Sequence, residues 1–362
     1  MDYTNSRLVI ETTKIEAGAI SWRSPSNIAL IKYWGKHGRQ LPQNPSISFT
    51  LDQAFSETIL EYTPKTGADQ GIELEFLFEG QRNETFEQKV HKFLESITDI
   101  FPFLRQLKLR IKSSNSFPHS AGIASSASGM SALALCLCSL EYELFGTLEN
   151  DQAFRQKASY VARLGSGSAC RSIYATAAVW GQTNEIETAS DLYAIPVGDQ
   201  LHPVFQQFHD DILIVAKSEK KVSSRAGHGL MENNVYAEDR YRQARQRFRQ
   251  LYGAMKSGDL ETFGRITEAE ALTLHAMMMA GPTPYLLLQP HTISIIQRLQ
   301  SFRAASSVPV YFSLDAGPNP HLLYPDSAAK EVQQFIRGEL SQWCEDWIED
   351  QVGPGPLQLD VD

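Results

Sequence analysis

At 362 residues the chain is longer than most single cores, which rarely grow past about 250 residues, and two domains are expected. Its 42% hydrophobic and 21% charged residues, without a low-complexity run, describe a folded globular protein and exclude a long disordered one. A formal net charge of -9 and a pI near 5.5 exclude a broad nucleic-acid or acidic-membrane surface and leave room only for a local basic pocket. The N-terminal MDYTNSRLVIETTK lacks a basic stretch followed by an apolar one, and no segment reaches the roughly 20 apolar residues of a membrane span, which predicts a cytoplasmic protein. Cys136, Cys138, Cys170 and Cys344 form no C-x-x-C pair and no zinc-like spacing, so they read as buried thiols of a reducing compartment.

In chain order, LKLRIK at 107–112 alternates apolar and polar residues and predicts a strand with one buried face. The small-residue loop SSNSFPHSAGIASSASG follows and merges into MSALALCLCSL, a buried helix by composition. A second helix is predicted from Asp151 to Leu164, stopped by Gly165, then the loop GSGSACRS and a strand around IYATAAVW. GQTNEIETASD and GDQ read as surface turns and set the expected division into an N-terminal domain, residues 1–190, and a C-terminal domain, residues 191–362.

The second half opens with the strand DILIVAK. Two long helical patterns follow, ENNVYAEDRYRQARQRFRQLYGAMKSG and DLETFGRITEAEALTLHAMMM, broken at Gly258. Next come a helix near 290–303, a strand VPVYFSL ending at Asp315, the turn AGPNP, a strand HLLYP and a last helix from Asp326. This order is α+β, not a simple βαβ series, and no internal repeat is present.

The loop PHSAGIASSASG puts Gly and small residues where a strand meets a helix, so backbone N–H groups can approach an anion at the positive helix end. Close strand-to-helix packing uses the same residue types, and by composition alone the two readings are equal. The loop is neither a Walker A sequence nor a dinucleotide G-x-G-x-x-G. In P-x-x-x-G-[IL]-x-S-S-A form it resembles the phosphate loop of the GHMP kinases. Three further segments narrow the resemblance: NIALIKYWGK at 27–36, GSGSACRS at 165–172 and DAGPN at 315–319. Together they are similar to the diphosphomevalonate decarboxylase family, from about Ser21 to the QVGPGP near the C-terminus.

The resemblance implies a two-domain GHMP kinase-like α+β fold with the active site in the interdomain cleft, ATP with Mg²⁺ as phosphoryl donor, and 5-diphosphomevalonate as substrate. It also implies a homodimer. A tertiary hydroxyl is a poor leaving group; phosphorylating it and then expelling phosphate as carbon dioxide departs replaces one high barrier with two lower ones. Such chemistry needs a carboxylate near the hydroxyl, cations around phosphates and carboxylate, and many N–H or O–H donors.

On that basis Asp315, after an apolar strand and before a Gly-Pro turn, is the candidate catalytic carboxylate, either as base or as the group that orients the hydroxyl. An Asp in D-x-G also commonly bonds only its own turn. Arg171 matches the arginine that faces the substrate carboxylate, a task for a planar bidentate donor, and Lys36 a lysine reaching substrate and transferring phosphate. Tyr33, Ser166, Ser168, Ser224 and Arg225 match substrate contacts, and Ser113, Gly122, Ser125 and Ser126 match ATP contacts. Lys32 is not assigned, Trp34 reads as a core aromatic, and His275 reads as a structural helical histidine with no metal spacing around it.

Three departures from the family pattern bear on loop geometry and fine specificity. RAGHGLM is two residues longer between Arg225 and Met231 than in many relatives, Ala175 and Thr176 stand where relatives have a Gly pair, and His119 replaces a small residue. A kinase acting on the mevalonate hydroxyl, a monophosphate decarboxylase and an inactive binding module remain as alternatives. Retention of Lys36, Arg171 and Asp315 favours decarboxylation, because a kinase without elimination need not hold the carboxylate.

Overall fold

The computed structural model describes residues 3–66, 71–118, 123–217 and 224–361. Its first layer is an eight-stranded sheet whose main path runs Leu357–Leu359, Gly18–Ala29, Ser46–Pro64, Leu107–Asn115, Glu73–Phe78, Gln81–Arg82. Ala177–Trp180 pairs with the early part of Ser46–Pro64 and in turn with Ile195–Pro196. Pairing is antiparallel except between Glu73–Phe78 and Leu107–Asn115, which run parallel across the helix Glu84–Ser96. Ser46–Pro64 is the spine of the layer. Its inward positions include Ser46, Ser48, Thr50, Ser56 and Thr58, all buried, and this polar inner face lies under the functional loops.

The helices covering this sheet follow from the sequence. Ser125–Phe145 is buried on nearly every side, as its run of Ala, Leu and Cys requires, and ends where Gly146 takes a left-handed φ of 63°. Asp151–Gly165 starts at Asn150, whose side chain accepts from the Ala153 N–H. Cys136, Cys138 and Cys170 are buried free thiols, and burial pushes Cys170 up to about 12, while Cys344 is half-buried. Around IYATAAVW the strand forms only from Ala177, because Thr176 sits at φ 59° and breaks the extended run.

The second layer is a four-stranded sheet in the order Tyr311–Leu314, Pro320–Pro325, Phe208–Ile214, Asp346–Ile348. Ala237–Ser257, Leu260–Met279 and Pro290–Ser306 are its main helices. The first starts five residues later than the pattern ENNVYAEDRYRQ suggests, since residues 232–236 are turns. Gly258, at φ 79°, ends it, and Asp259 caps the next by accepting from the Thr262 N–H. Ser224–Gly229 forms a short helix. Among the described residues no helix is long and apolar enough to cross a membrane.

Aromatic packing joins the two layers. Phe49, on the spine strand, meets Phe205, Phe208 and Phe263 of the second half at centroid distances of 5.7 to 6.1 Å. The C-terminal segment straps the layers together: Asp350 accepts N–H bonds from Asp52, Gln53 and Gln351 at one oxygen and from Ala54 at the other, at 2.7 to 2.9 Å. Gly353 passes so close to the spine that a Cβ would lie 2.3 Å from the Leu51 carbonyl oxygen. Asp350→Ala should therefore orphan these donors and lower unfolding free energy by about 2–4 kcal/mol, with Asp350→Asn milder, as read by denaturant titration.

Candidate active site

The candidate residues gather where the end of the strand Gly18–Ala29 runs on into LIKYWGK and meets the second half of the chain. Lys32 lies here, only 2% exposed, with its Nζ 3.0 Å from Asp315 Oδ1 and 2.9 Å from Ser313 Oγ. Its backbone N–H donates to Glu270 Oε2 at 3.0 Å. Lys32 is thus the cation nearest the candidate carboxylate, a role the sequence left unassigned. The available signal was its position: an ionisable side chain set inside the apolar run IALIKYW.

Glu270 is fully buried and accepts from Arg240 through both nitrogens, at 2.9 and 2.5 Å, and from Arg247 at 2.9 Å. Burial opposes its ionisation, but the Arg240 guanidinium, the Arg247 bond and the Lys32 N–H outweigh that and hold its carboxyl below the usual range. The network fixes the backbone of Lys32 against the helix Leu260–Met279.

Asp315 follows the last residue of Tyr311–Leu314, as the sequence predicts. Its carbonyl accepts from Gly317 N at 2.7 Å and contacts His275 Nε2 at 3.1 Å, so both the D-x-G turn and the buried histidine fix its backbone. The side chain remains 23% exposed, reachable by a small molecule. His275 thus supports the turn that carries Asp315.

Arg171 is fully buried, and its contacts are neutral: Nε to Ser48 Oγ at 3.0 Å, Nη1 to Ser46 Oγ at 2.7 Å and Nη2 to Asn27 Oδ1 at 3.2 Å. Among the described residues no carboxylate forms an ion pair with it. Burial pushes its pKa down, while the charge of Asp315 favours the charged form. The loop carrying it is a 3-10 helix, Gly167–Ile173, entered from the end of Asp151–Gly165 at Ser166. Ser166 Oγ lies 3.3 Å from Ser126 Oγ, which brings the GSGSACRS loop to the first turn of Ser125–Phe145. Ser168 is half-buried, and its carbonyl accepts from Asn27.

Tyr33 packs between Trp180, at 4.7 Å between ring centroids, and His228, at 4.3 Å. Its hydroxyl is buried without a hydrogen-bond partner, close enough to Gly167 that a Cβ there would lie 2.8 Å from it. Burial pushes the phenol well above its ordinary pKa. Lys36 lies in a two-residue strand and donates to Gln40 Oε1 at 2.8 Å. Trp34 is a core aromatic at 5% exposure, packed with Met231, Tyr241, Leu274 and Met278.

At the small-residue loop, Ala124 has left-handed φ and ψ of 49° and 38°, and among the described residues no side chain caps the helix Ser125–Phe145 that it starts. The first-turn N–H groups, including those of Ser125 and Ser126, are therefore not claimed by a cap. Behind them Ser56 Oγ joins Asn115 Oδ1 and Ser128 Oγ, both at 2.7 Å, while Asn115 Nδ2 is buried without a partner. Ser113 stays in the sheet, its hydroxyl 3.1 Å from Thr58 Oγ1. Gly122 lies outside the described residues; Ser224 and Arg225 begin the helix Ser224–Gly229, and only their backbone is described.

A carboxylate paired with a buried lysine, a buried arginine with neutral partners and an uncapped helix start on a small-residue loop, in a two-layer α+β frame, define a GHMP kinase-like enzyme fold. Residues 24–194 match the diphosphomevalonate decarboxylase-like N-terminal domain, and residues 211–352 the mevalonate 5-diphosphate decarboxylase C-terminal domain. A diphosphomevalonate decarboxylase from Ganoderma lucidum is 31% identical over 86% of this chain and 80% of its own. The mevalonate diphosphate decarboxylase from Staphylococcus aureus superposes with a TM-score of 0.81 at 28% identity, covering 97% of this chain and all of the other (100%). MDDEF in complex with MVAPP, AMPPCP and magnesium superposes with a TM-score of 0.79 at 28% identity, covering 96% of this chain and 100% of that one. The chain belongs to the diphosphomevalonate decarboxylase family.

The Glu270 network predicts a pH signature. A depressed folded-state pKa stabilises the protein fully above the ordinary carboxylate range and is lost as pH falls through that depressed value. Glu270→Gln should cost about 3–5 kcal/mol near neutral pH by leaving buried guanidiniums uncompensated. The gap from wild type should narrow on acidification, which denaturant melts across the acid range would read.

Proposed function

We propose that the protein catalyses ATP-dependent decarboxylation of (R)-5-diphosphomevalonate to isopentenyl diphosphate, with ADP, phosphate and carbon dioxide as the other products. The observation that carries this reading is Arg171: a wholly buried guanidinium that, among the described residues, bonds only Ser46, Ser48 and Asn27 is prepared for an anion that arrives with the substrate. A planar carboxylate suits that donor set. A kinase that left the carboxylate intact would not require it.

The other parts take complementary roles. Asp315 accepts the hydrogen bond of the tertiary hydroxyl and aligns its oxygen for attack on the terminal phosphorus of ATP, while Lys32, 3.0 Å away, stabilises the carboxylate and fixes its rotamer. Lys36 meets the phosphoryl group in transfer. Tyr33, Ser166 and Ser168, with Ser224 and Arg225, hold the substrate. Ser125, Ser126 and the loop containing Gly122 receive the nucleotide phosphates, with Ser113 behind them. The uncapped first turn of Ser125–Phe145 and the unpaired Asn115 amide fit an anion there. Mg²⁺ would enter on the nucleotide and supply charge neutralisation at its phosphate oxygens. Once the hydroxyl is phosphorylated, the C–O bond breaks, the electrons of the bond to the carboxylate carbon form the alkene, and carbon dioxide leaves. Arg171 sets the carboxylate orientation that this electron flow needs.

Residues 1–190 and 191–362 are proposed as the two domains, with the C-terminal strand Leu357–Leu359 crossing back to the first sheet and Ile195–Pro196 still part of it. The family resemblance further supports a homodimer, and the buried free thiols suit a cytoplasmic setting.

The test is to supply Mg-ATP with carboxyl-labelled 5-diphosphomevalonate and record ADP and labelled carbon dioxide together, with the monophosphate alongside. Matched release from the diphosphate is expected; ADP without carbon dioxide would make the protein a kinase, and preference for the monophosphate would move the substrate. Asp315→Asn should lower turnover by at least about 100-fold with ATP binding near wild type, and should also lower the melting temperature, because the buried Lys32 ammonium loses its carboxylate partner. Arg171→Ala should impair carbon dioxide release, and Arg171→Lys should restore it incompletely, because an ammonium cannot replace a bidentate fork.

A further inference from the structure

The segment RAGHGLM has a defined place in the fold. Its first five residues belong to the short helix Ser224–Gly229, and Gly227 lets that helix touch Trp34: a Cβ at Gly227 would lie 2.5 Å from the indole ring. His228 is consequently laid across the aromatic pair of the YWGK run, with its ring centroid 4.3 Å from that of Tyr33 and 4.8 Å from that of Trp34. The next residue of that run completes the clamp, since the Gly35 backbone N–H donates to His228 Nδ1 at 3.0 Å. Gly35 itself sits at φ 96°, facing Tyr241, where only glycine fits.

A ring that accepts at Nδ1 carries its neutral-state proton on Nε2. Burial and the Lys36 ammonium push the imidazole down to about 3, so it remains uncharged near neutral pH. Among the described residues Nε2 has no hydrogen-bond partner, and the His228 side chain is half-buried rather than enclosed. The outcome is an oriented, uncharged N–H donor left open beside Tyr33 and Lys36, on the helix that begins with Ser224 and Arg225.

We propose that His228 is a substrate-binding and specificity residue whose Nε2–H donates to a phosphoryl oxygen of the substrate diphosphate. This rests on the proposed decarboxylase reading and deepens it. A neutral donor adds a charge-assisted bond to the anion without placing a second cation against Lys36. A substrate with a single phosphoryl group offers fewer oxygens at this end, so the contact contributes to preference for the diphosphate.

Two near-isosteric substitutions separate this role from mere packing. His228→Asn puts an amide oxygen near the Nδ1 position, keeping the Gly35 bond and deleting the open donor. His228→Gln reaches the Nε2 position with an amide N–H and gives up the Gly35 bond. The expected result for His228→Asn is a KM for 5-diphosphomevalonate raised by about tenfold or more, the scale of one hydrogen bond to a charged group. Its kcat should stay within about twofold, its KM for ATP should be unchanged, and its preference for diphosphate over monophosphate should fall; the donor bond in His228→Gln should hold substrate KM within about threefold of wild type. Wild-type KM in His228→Asn with a raised KM in His228→Gln would overturn the proposal and reduce His228 to a support for Gly35. Calorimetric titration with inorganic diphosphate keeps this separate from the reaction assignment. Absent turnover in wild type would sink the decarboxylase reading alone, whereas equal diphosphate affinity in wild type and His228→Asn would sink the His228 contact.

Discussion

Lys32 carries its ammonium into a space nearly closed to water and delivers it to Asp315 across the junction of the two sheets. An isolated buried ammonium would be costly, and here both ends of the residue are answered from the second half of the chain. Glu270 accepts its backbone N–H, while Ser313 and Asp315 accept from its side chain. The remaining charge of Glu270 is taken up by Arg240 and Arg247, so the acid, the lysine and two guanidiniums form one interlocked set. The set fixes the strand-to-loop passage IKYWGK relative to the strand that ends at Asp315. Reach and orientation at the candidate carboxylate follow from that constraint.

The same economy of charge appears at Arg171, which is held by hydroxyl and amide oxygens and left without a protein carboxylate. Ser46 and Ser48 come from the long spine strand and Asn27 from its neighbour, which explains why the inner face of this sheet is polar near the site and apolar farther along, at Leu60 and Tyr62. The aromatic cluster of Phe49, Phe205, Phe208 and Phe263 locks the layers behind it. Rigid layers with a buried guanidinium held by neutral oxygens between them suit a reaction in which negative charge passes from a carboxylate to a departing phosphate.

Much of the second half was readable because its signals are local: Gly258 ends a helix, Asp259 starts the next, and Asp315 follows an apolar strand. The spine strand was not, because an alternation of Ser, Thr and apolar residues facing inward gives no hydrophobic period to count. Family motifs pointed to Arg171, Tyr33 and Asp315, which the fold brings to the same region. Lys32 and Glu270 were missed because buried charges are recognised by their partners: those of Lys32 lie 283 and 238 residues away in sequence, and the guanidiniums that answer Glu270 sit on a different helix, 30 and 23 residues back. His228 appeared only as an irregularity of loop length. Its meaning depends on Gly227 meeting Trp34, a contact no local pattern encodes.

The central claim is that ATP is spent to turn the tertiary hydroxyl, oriented by the Lys32-paired Asp315, into a leaving group. The most direct measurement uses 5-diphosphomevalonate carrying ¹⁸O in that hydroxyl and follows the label by mass spectrometry after complete turnover with Mg-ATP. The account predicts that the inorganic phosphate formed with carbon dioxide contains the ¹⁸O, because the C–O bond breaks after phosphorylation. Unlabelled phosphate, with the ¹⁸O released as water or retained in an organic product, would contradict it.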